Sequence, residues 1–547
     1  MTGPARTPFA AAKITPRQQL KQSPCCDSCA AGADVRAWIS VVAQRRKLGL
    51  SDEQALTRAW NTIVDVNPFP ATLGRVCPHP CEAGCNRGDK DGGVAVNAME
   101  RFLGDWAIDR RLTLPRMADD GAARHAIGVI GAGPAGLSFA YQMARRGYPV
   151  TVYEKESSAG GMLQHGIPAY RLPEAVLDAE VQRIVDLGVD LRLNTAVGRD
   201  VTWPELKRRH EVLFLGIGAG RGQRLGVDGE DGPGVWTGID FLARVNGGEV
   251  IDVGRHLVVV GGGNTAMDVA RTARRAGARA TVLYRRSRAE MPAVQREIDD
   301  AIAEGVMLEL LAAPMRIERA DGRVRAVVVQ RMALGEPDAS GRRAPMPIPG
   351  DVFELPADTV VAAVSQAPDW AAVDGLPFDA AAVKAGSNGE LVDGVWTGGD
   401  AMAVGIAGAA IRQGRSAAEA LHARLTGAPA PAAPALPRVS PDTVKRDYYA
   451  GGARAEGAHQ PVPARLAQAG LEVDATISEA EFLHEAERCL SCGSCFGCEQ
   501  CFTYCSAGGF VRLDEVRPGA YYALDLSVCE SCGKCVEVCP CGFLTSA

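Results

Sequence analysis

Apolar positions along this chain change texture three times, and each change marks a unit. Residues 34–120 carry them at helical spacing. Ser51 and Gln54 form a capping box ahead of an apolar face through Ala55, Ala59 and Ile63, and Asn67–Pro68 stops that helix. From Ala126 onward the apolar runs shorten to about four residues, each followed by a glycine turn and an alanine-rich helical stretch, as at 127–130, 150–153, 257–260, 280–284 and 395–397. That alternation predicts a multidomain α/β protein with parallel sheets. The stretch 427–441 is rich in Ala and Pro and reads as an extended linker, and beyond about Ala486 a compact cysteine module replaces any periodicity. Residues 1–24 carry no pattern and read as a poorly ordered arm.

These shifts divide the chain into an N-terminal helical unit (1–122), a first dinucleotide-type unit in two parts (123–253 and 370–427) with a second inserted between them (254–369), a linker (428–485) and the cysteine module (486–547). A length of 547 residues suits several domains. The net charge of −6 argues against a nucleic-acid binder, which carries a basic face. No run approaches the roughly 18 to 20 apolar residues of a membrane span. The basic N-terminus lacks an apolar signal core, so a cytoplasmic location is expected, with a transit peptide as the alternative.

Seventeen cysteines alter the picture most, because they occupy only 25–29, 77–85 and 489–541. Disulfides do not concentrate this way and are uncommon in the cytosol, so metal chemistry is expected at both ends. Cys529, Cys532, Cys535 and Cys539, followed by Pro540, form the C-x2-C-x2-C-x3-C-P run of bacterial ferredoxins. Upstream, only the register Cys495, Cys498, Cys501 and Cys505 repeats that ending, with Ser506 in place of the proline. The fourth cysteine of each run serves the other cluster in such modules. The sets are therefore Cys495, Cys498, Cys501 and Cys539 for one 4Fe–4S cluster, and Cys529, Cys532, Cys535 and Cys505 for a second. Zinc is the competing reading for paired CxxC motifs, and the two x3 endings disfavour it.

The middle of the chain carries two glycine motifs. Gly131, Gly133, Pro134, Ala135 and Gly136 follow one strand, and the next strand ends in Glu154, placed to accept from a ribose. Gly399 and Asp400 end a later strand, where a carboxylate suits the ribityl chain of FAD. The helix beginning near Gly408, with Ala409, directs its positive end toward the flavin. In the second motif Gly261, Gly262, Gly263, Asn264 and Thr265 open a helix, and the following strand ends in Arg285–Arg286 instead of an acid. Arginine there suits a 2′-phosphate, favouring NADP(H) over NAD(H), although both arginines also fit a solvated surface. No nucleophile–base constellation or redox CxxC lies between the motifs, so the flavin carries the chemistry.

Several strings resemble the family of the glutamate synthase small subunit, which includes the flavin half of dihydropyrimidine dehydrogenase and the large subunit of NADH-dependent ferredoxin:NADP oxidoreductase. They are Gly160–Leu163 with Gly166–Pro168 and Arg171–Pro173, then Gly261–Asp268, Tyr284–Arg286 and Glu290–Ala293. The resemblance runs from about Cys25 to Leu425, and the cysteine module resembles that of longer members serving 2-oxoacid oxidoreductases. It adds Gly161, Met162 and Arg171 to the expected FAD contacts and Asp268 to those for NAD(P)H. It also implies two clusters in the helical unit. One matches Cys29, Cys77, Cys81 and Glu100, the last otherwise a surface helix residue. The other takes a Cys-x2-Cys pair within an Arg-Cys-Leu-x-Cys string, with the equivalents of Cys25 and Cys85. Residues 1–24 hold no such pair, but Arg488–Cys492 supplies the string at the far end. Cys489 and Cys492 are thus expected to fold back and complete a fourth cluster; as plain buried thiols they would leave three. A second copy of the chain is another route to the pair.

The expected function is a relay. A nicotinamide nucleotide exchanges hydride with FAD, and the clusters carry single electrons to or from a catalytic partner subunit, such as a 2-oxoacid:NADP oxidoreductase, or a ferredoxin. Alternatives are a self-standing or bifurcating NAD(P)H:ferredoxin oxidoreductase, a non-catalytic docking subunit and a glutamate synthase partner.

Overall fold

The computed structural model describes residues 14–117, 125–370, 385–386, 388–429 and 435–546. The boundary expected near 122, the start of the arm, and parts of 370–427 and 427–441 lie outside the described residues.

The helical unit comprises Val35–Ala43, Asp52–Val64, Pro70–Val76 and Val96–Asp109 with two short helices between. The Ser51–Gln54 capping box closes in both directions, and Ala55, Ala59 and Ile63 face the core. Gly104 permits close helix crossing, because a Cβ there would stand 2.2 Å from the Ala71 nitrogen.

The first dinucleotide unit is a six-stranded sheet in the order 390–392, 395–397, 212–215, 127–130, 150–153, 190–192, parallel except for its first pair. Two of its six strands, 390–392 and 395–397, arrive only after the second sheet is complete, so the nucleotide unit is an insertion. That second sheet runs 307–310, 279–284, 256–260, 359–362, 235–237, all parallel. Its edge strand Val235–Thr237 and the helix Gly238–Asn246 fall inside the stretch 123–253 that sequence assigns to the first unit. The insertion therefore begins earlier than the glycine motif indicates. A three-stranded antiparallel sheet, Ala312–Ala320, Arg323–Pro337 and Arg343–Pro356, follows and packs against the back of the nucleotide sheet.

Two regions differ from the expected loose segments. Of the arm, Pro16–Gln18 pairs antiparallel with Leu544–Ser546, and the Ile14 nitrogen donates to the Ser531 carbonyl at 2.9 Å. The arm gains order by completing a sheet edge of the cysteine module. Residues 435–478 are a docked strap in place of a free tether. Arg465, 3% exposed, inserts between Asp300 (3.0 Å) and Glu304 (3.1 Å) of the nucleotide unit. The Arg101 guanidinium donates to the Asp474 carbonyl at 2.6 Å, and the Val473 nitrogen donates to the Tyr170 carbonyl at 3.0 Å. One strap thus touches three units.

Glu304 is the charge centre of that contact, with Arg271, Arg275 and Arg465 all bonded to its carboxylate. Burial opposes its ionisation, but the hydrogen bonds and charges of Arg271 and Arg275 prevail and hold it at about 2. A carboxyl held below its ordinary 4.5 contributes stability that is present above pH 4.5 and lost as pH falls toward about 2. Glu304→Gln leaves three buried guanidiniums underpaired, so thermal unfolding at pH 7 should begin several degrees lower, and the variant should lose less of its midpoint than the parent between pH 5 and pH 3.

Candidate functional site: two nucleotide cradles and a row of cysteine sites

Each glycine loop shows why side chains are missing where they are. Gly131 (φ 96°) turns against the next strand, and a Cβ there would stand 2.5 Å from the Gly216 carbonyl oxygen. A Cβ on Gly136 would lie 2.0 Å from the Gly131 oxygen, so that glycine lets the helix Pro134–Ala144 close on the strand. Gly133 instead faces open space, with only the Gly161 Cα at 3.9 Å. In the second loop a Cβ on Gly261 (φ 145°) would stand 2.2 Å from the Ala363 oxygen and one on Gly262 2.6 Å from the Tyr284 ring, whereas a Cβ on Gly263 would meet nothing within 4 Å. Two necessary contacts and one vacant cradle per loop fit a pyrophosphate at the helix N-terminus.

Glu154 is buried at the end of its strand and accepts from the nitrogens of Ala132 (2.7 Å) and Glu156 (3.0 Å). Gly161 covers Gly133, and Met162 opens a short helix beside it. The Gly399 nitrogen donates to Gln413 Oε1 at 2.6 Å, while Asp400, whose carboxyl burial pushes upward, accepts from the Gly405 nitrogen at 3.0 Å. Ala409 lies in the first turn of the helix Ala407–Thr426. All these groups border the carboxyl ends of the first sheet.

Around the second cradle, Asn264 Oδ1 accepts from the Val294 nitrogen at 2.9 Å, and the Ala293 nitrogen donates to the Gly262 carbonyl at 3.1 Å. The Glu290–Ala293 string thereby lies over the glycine loop, with Thr265 against Gly238. Arg171 and Asp268, expected at different cofactors, pair with each other across the two units at 2.8 and 3.0 Å. The two arginines after the strand also separate. Arg286 is 3% exposed and committed to the Asp338 carboxylate and the Arg343 carbonyl, whereas Arg285 is exposed. Asp338 lies in the turn between Arg323–Pro337 and Arg343–Pro356, two strands of a sheet not foreseen from the sequence.

The cysteines gather in four places. A first cavity is lined by Cys495, Cys498, Cys501 and Cys539 with the spare Cys541, and a second by Cys505, Cys529, Cys532 and Cys535. These are the two sets expected from the crossed ferredoxin pattern. In the helical unit, Cys29, Cys77 and Cys81 surround Glu100, whose Oε1 accepts from Asn67 Nδ2 at 2.9 Å. Burial and then the Glu100 carboxylate push the Cys29 and Cys77 thiols up, the latter to about 12. Burial, Glu82 and Glu100 do the same to Cys81, and burial holds Glu100 itself at about 8. Four donors crowded out of water fit a cationic metal cluster, which favours their deprotonated forms.

Cys489 and Cys492 do lie on the helical unit. Asn86 Nδ2 donates to Cys492 Sγ at 3.4 Å, and the buried Arg36 guanidinium donates to the Cys492 carbonyl at 2.7 Å. Burial raises both thiols, and Cys85 adds to the effect at each. Cys25 sits on the short helix beside Gly84, where a Cβ would stand 3.7 Å from Pro24 Cβ. The neighbouring Cys26 thiol donates to Asp34 and accepts from the Arg36 nitrogen. Among the described residues no three such side chains close on a single-ion site, and a cubane spaces its thiolates more widely than one ion does.

Sequence reasoning passed over Arg36, Asn67 and Asn86. Each is a polar residue close to a cysteine or to the helix stop, and only the fold reveals that Arg36 and Asn86 meet Cys492 while Asn67 meets Glu100.

The pyridine nucleotide-disulphide oxidoreductase profile matches residues 125–417. The chain belongs to that family. The dihydropyrimidine dehydrogenase domain II, 4Fe-4S cluster profile matches 15–112, and a 4Fe-4S dicluster domain profile matches 494–543. The chain is 37% identical over 512 residues to the NADP(+)-dependent formate dehydrogenase subunit beta of Moorella thermoacetica, covering 86% of this chain and 70% of that one. It is 41% identical to the NADPH-Fe(3+) oxidoreductase subunit beta of Geobacter sulfurreducens over 65% of this chain, and spans about half of that relative (53%). Against the glutamate synthase [NADPH] small chain of Azospirillum brasilense the identity is 35%, covering 69% and 83%. The protein is an NAD(P)H-dependent flavin and iron–sulfur oxidoreductase of multidomain α/β architecture, with a helical iron–sulfur unit before the nucleotide-binding units and a ferredoxin-type module after them. Among the described residues no helix is long and apolar enough to cross a membrane.

Replacing Cys489 and Cys492 together by Ser should remove one cluster's worth of iron and leave flavin content unchanged, as read by iron and flavin quantification on the same sample. Unchanged iron would mean that the pair holds no cluster.

Proposed function

We propose that this chain is the electron-relay subunit of a larger redox enzyme, exchanging hydride with NADP(H) and passing single electrons through four 4Fe–4S clusters to or from a partner. The observation that carries the reading is the continuity of the cysteine row. Cys492 lies beside Cys85 of the helical unit, and Cys495, three residues on, lines the first cavity of the ferredoxin module. One segment thus joins the two iron–sulfur regions.

When bound, FAD supplies two-electron exchange with the nucleotide and one-electron exchange with the clusters. The residues provide the rest. Gly133 and Gly263 leave room for the pyrophosphates, and Glu154 and Asp400 present carboxylates at the ribose and ribityl positions. Cys29, Cys77, Cys81 and Glu100 are assigned to one cluster and Cys25, Cys85, Cys489 and Cys492 to the next. The two ferredoxin sets complete the row.

The outer end favours a protein partner over a small substrate. Cys532 is exposed, as are the large apolar side chains of Tyr504, Val511, Leu526 and Val528 on the same module. A catalytic subunit or a ferredoxin would dock there, which weighs against the chain acting alone and against a purely structural role.

An anaerobic titration with NADPH, then NADH, should bleach the flavin band first and the cluster absorbance after it. If neither band responds to either nucleotide, the relay is wrong and the chain is a docking subunit. Because Arg285 is exposed while Arg286 is already bonded, Arg285→Ala should raise KM for NADPH a few-fold while leaving NADH unaffected, an exposed ion pair being worth ~1 kcal/mol at most. Arg286→Ala, by contrast, should lower stability without changing the nucleotide preference.

A further inference from the structure

The strap brings an aromatic residue to the junction of the two iron–sulfur regions. After a short helical turn at Arg446–Tyr448, Tyr449 leaves the strap and is half buried. Its hydroxyl donates to the Leu490 carbonyl at 2.7 Å, inside the loop that carries Cys489 and Cys492. Its ring stands 5.8 Å, centroid to centroid, from that of Phe496, between Cys495 and Cys498 in the wall of the first ferredoxin cavity. Val439, Val444 and Leu490 close an apolar cluster around Tyr449 and Cys492. One side chain therefore touches both cysteine loops.

Both sides of the contact are anchored. Lys47 of the helical unit donates to the Phe496 and Gly497 carbonyls at 3.0 and 2.9 Å, and its ammonium lies 5.5 Å from the Phe496 ring centroid. The Lys445 nitrogen donates to the Pro540 carbonyl at 2.8 Å, next to Cys539. The strap at 443 fills the space where a Cβ on Gly542 would otherwise sit, 2.6 Å from Thr443 Oγ1. Nothing about this arrangement is needed to ligate iron, since no strap residue is a cysteine or an acid aimed at a cavity. What it fixes is separation.

We propose that Tyr449 is a positioning residue that holds the Cys489–Cys492 loop and the Cys495–Cys498 loop at a set distance, and so governs the rate at which electrons cross between the flavin half and the ferredoxin module. The inference rests on the relay reading above. The step it controls moves one electron and changes no bond. The hydroxyl and the ring have separable tasks: the hydrogen bond orients the upstream loop, and the ring fills the gap and holds Phe496. The ring carries the larger share, because its loss leaves a void between the two loops on either side of Gly493 and Ser494.

The test compares Tyr449→Ala and Tyr449→Phe in the full chain with its flavin and iron in place. In stopped-flow reduction by NADPH, Tyr449→Ala should leave the flavin phase unchanged and slow the later cluster phases by about an order of magnitude or more, as small misplacements do to distance-dependent steps. Tyr449→Phe should recover most of the loss. In samples reduced with dithionite, the magnetic interaction between neighbouring clusters should weaken in Tyr449→Ala and persist in Tyr449→Phe, with iron content equal to the parent in both. Unchanged cluster phases and spectra in Tyr449→Ala would overturn the proposal. Loss of iron from that variant would overturn it too, because the residue would then support ligation. If the parent itself is not reduced by nucleotide, the relay reading fails, while the dithionite spectra still decide the role of Tyr449.

Discussion

The Arg488 guanidinium is 3% exposed and satisfied from three sides. It pairs with Glu485 on its own helix and with Asp91 of the helical unit. It also donates to the carbonyls of Asp91 (2.9 Å) and Gly92 (2.8 Å), and to that of Gly452 on the strap (3.2 Å). Arg87 returns the contact by donating to the Arg488 carbonyl at 2.5 Å. A buried guanidinium is tolerable only when its donors are met, and losing one partner of such a pair costs ~3–5 kcal/mol. Because the next residue is Cys489, the geometry that satisfies the charge also decides where the cysteine pair lies. The strap, the helical unit and the ferredoxin module are all referenced to this point.

From it the rest of the assembly follows by short steps. Glu485 accepts from the Ala95 and Ala455 nitrogens at 2.7 and 2.8 Å, joining the start of the Val96–Asp109 helix to the strap. That helix presents Glu100 toward Cys29, Cys77 and Cys81 on the other side of the same unit. Downstream, Ser491 contacts Ser40 at 3.4 Å, and Tyr521 donates to Gln44 at 2.6 Å, laying the ferredoxin module along the helix Val35–Ala43. The placement of the ferredoxin module on the helical unit is thus set by helix packing, which deforms little.

Much of this was legible in the chain because the constraints concerned are local. A glycine needed at Gly131 or Gly261 reports a turn within a few residues, and a C-x2-C-x2-C-x3-C run encodes its cavity in its own spacing. The crossed pairing of Cys505 and Cys539 followed from the pattern in the same way. What escaped depends on partners far apart in sequence. Arg286 reads as a phosphate ligand until Asp338 is brought beside it by an antiparallel sheet whose strands lack a clean alternation. Val235–Thr237 joins the second sheet through long-range parallel pairing, which a three-residue apolar run does not announce. The strap looked like a linker because its composition is that of one; its order comes from ion pairs at Arg465 and Asp474 made with units already folded.

The site proposed to join Cys25 and Cys85 to Cys489 and Cys492 has a consequence in time. A ribosome adding ~5–20 residues per second exposes the first pair tens of seconds before the second exists. During that interval the helical unit can fold and the two nucleotide sheets can close, yet two of its thiols remain without their companions. Arg87 and Asp91, facing that same empty place, wait for Arg488. Were an iron–sulfur site divided between these two segments as proposed, its completion would record that everything between has already been synthesised.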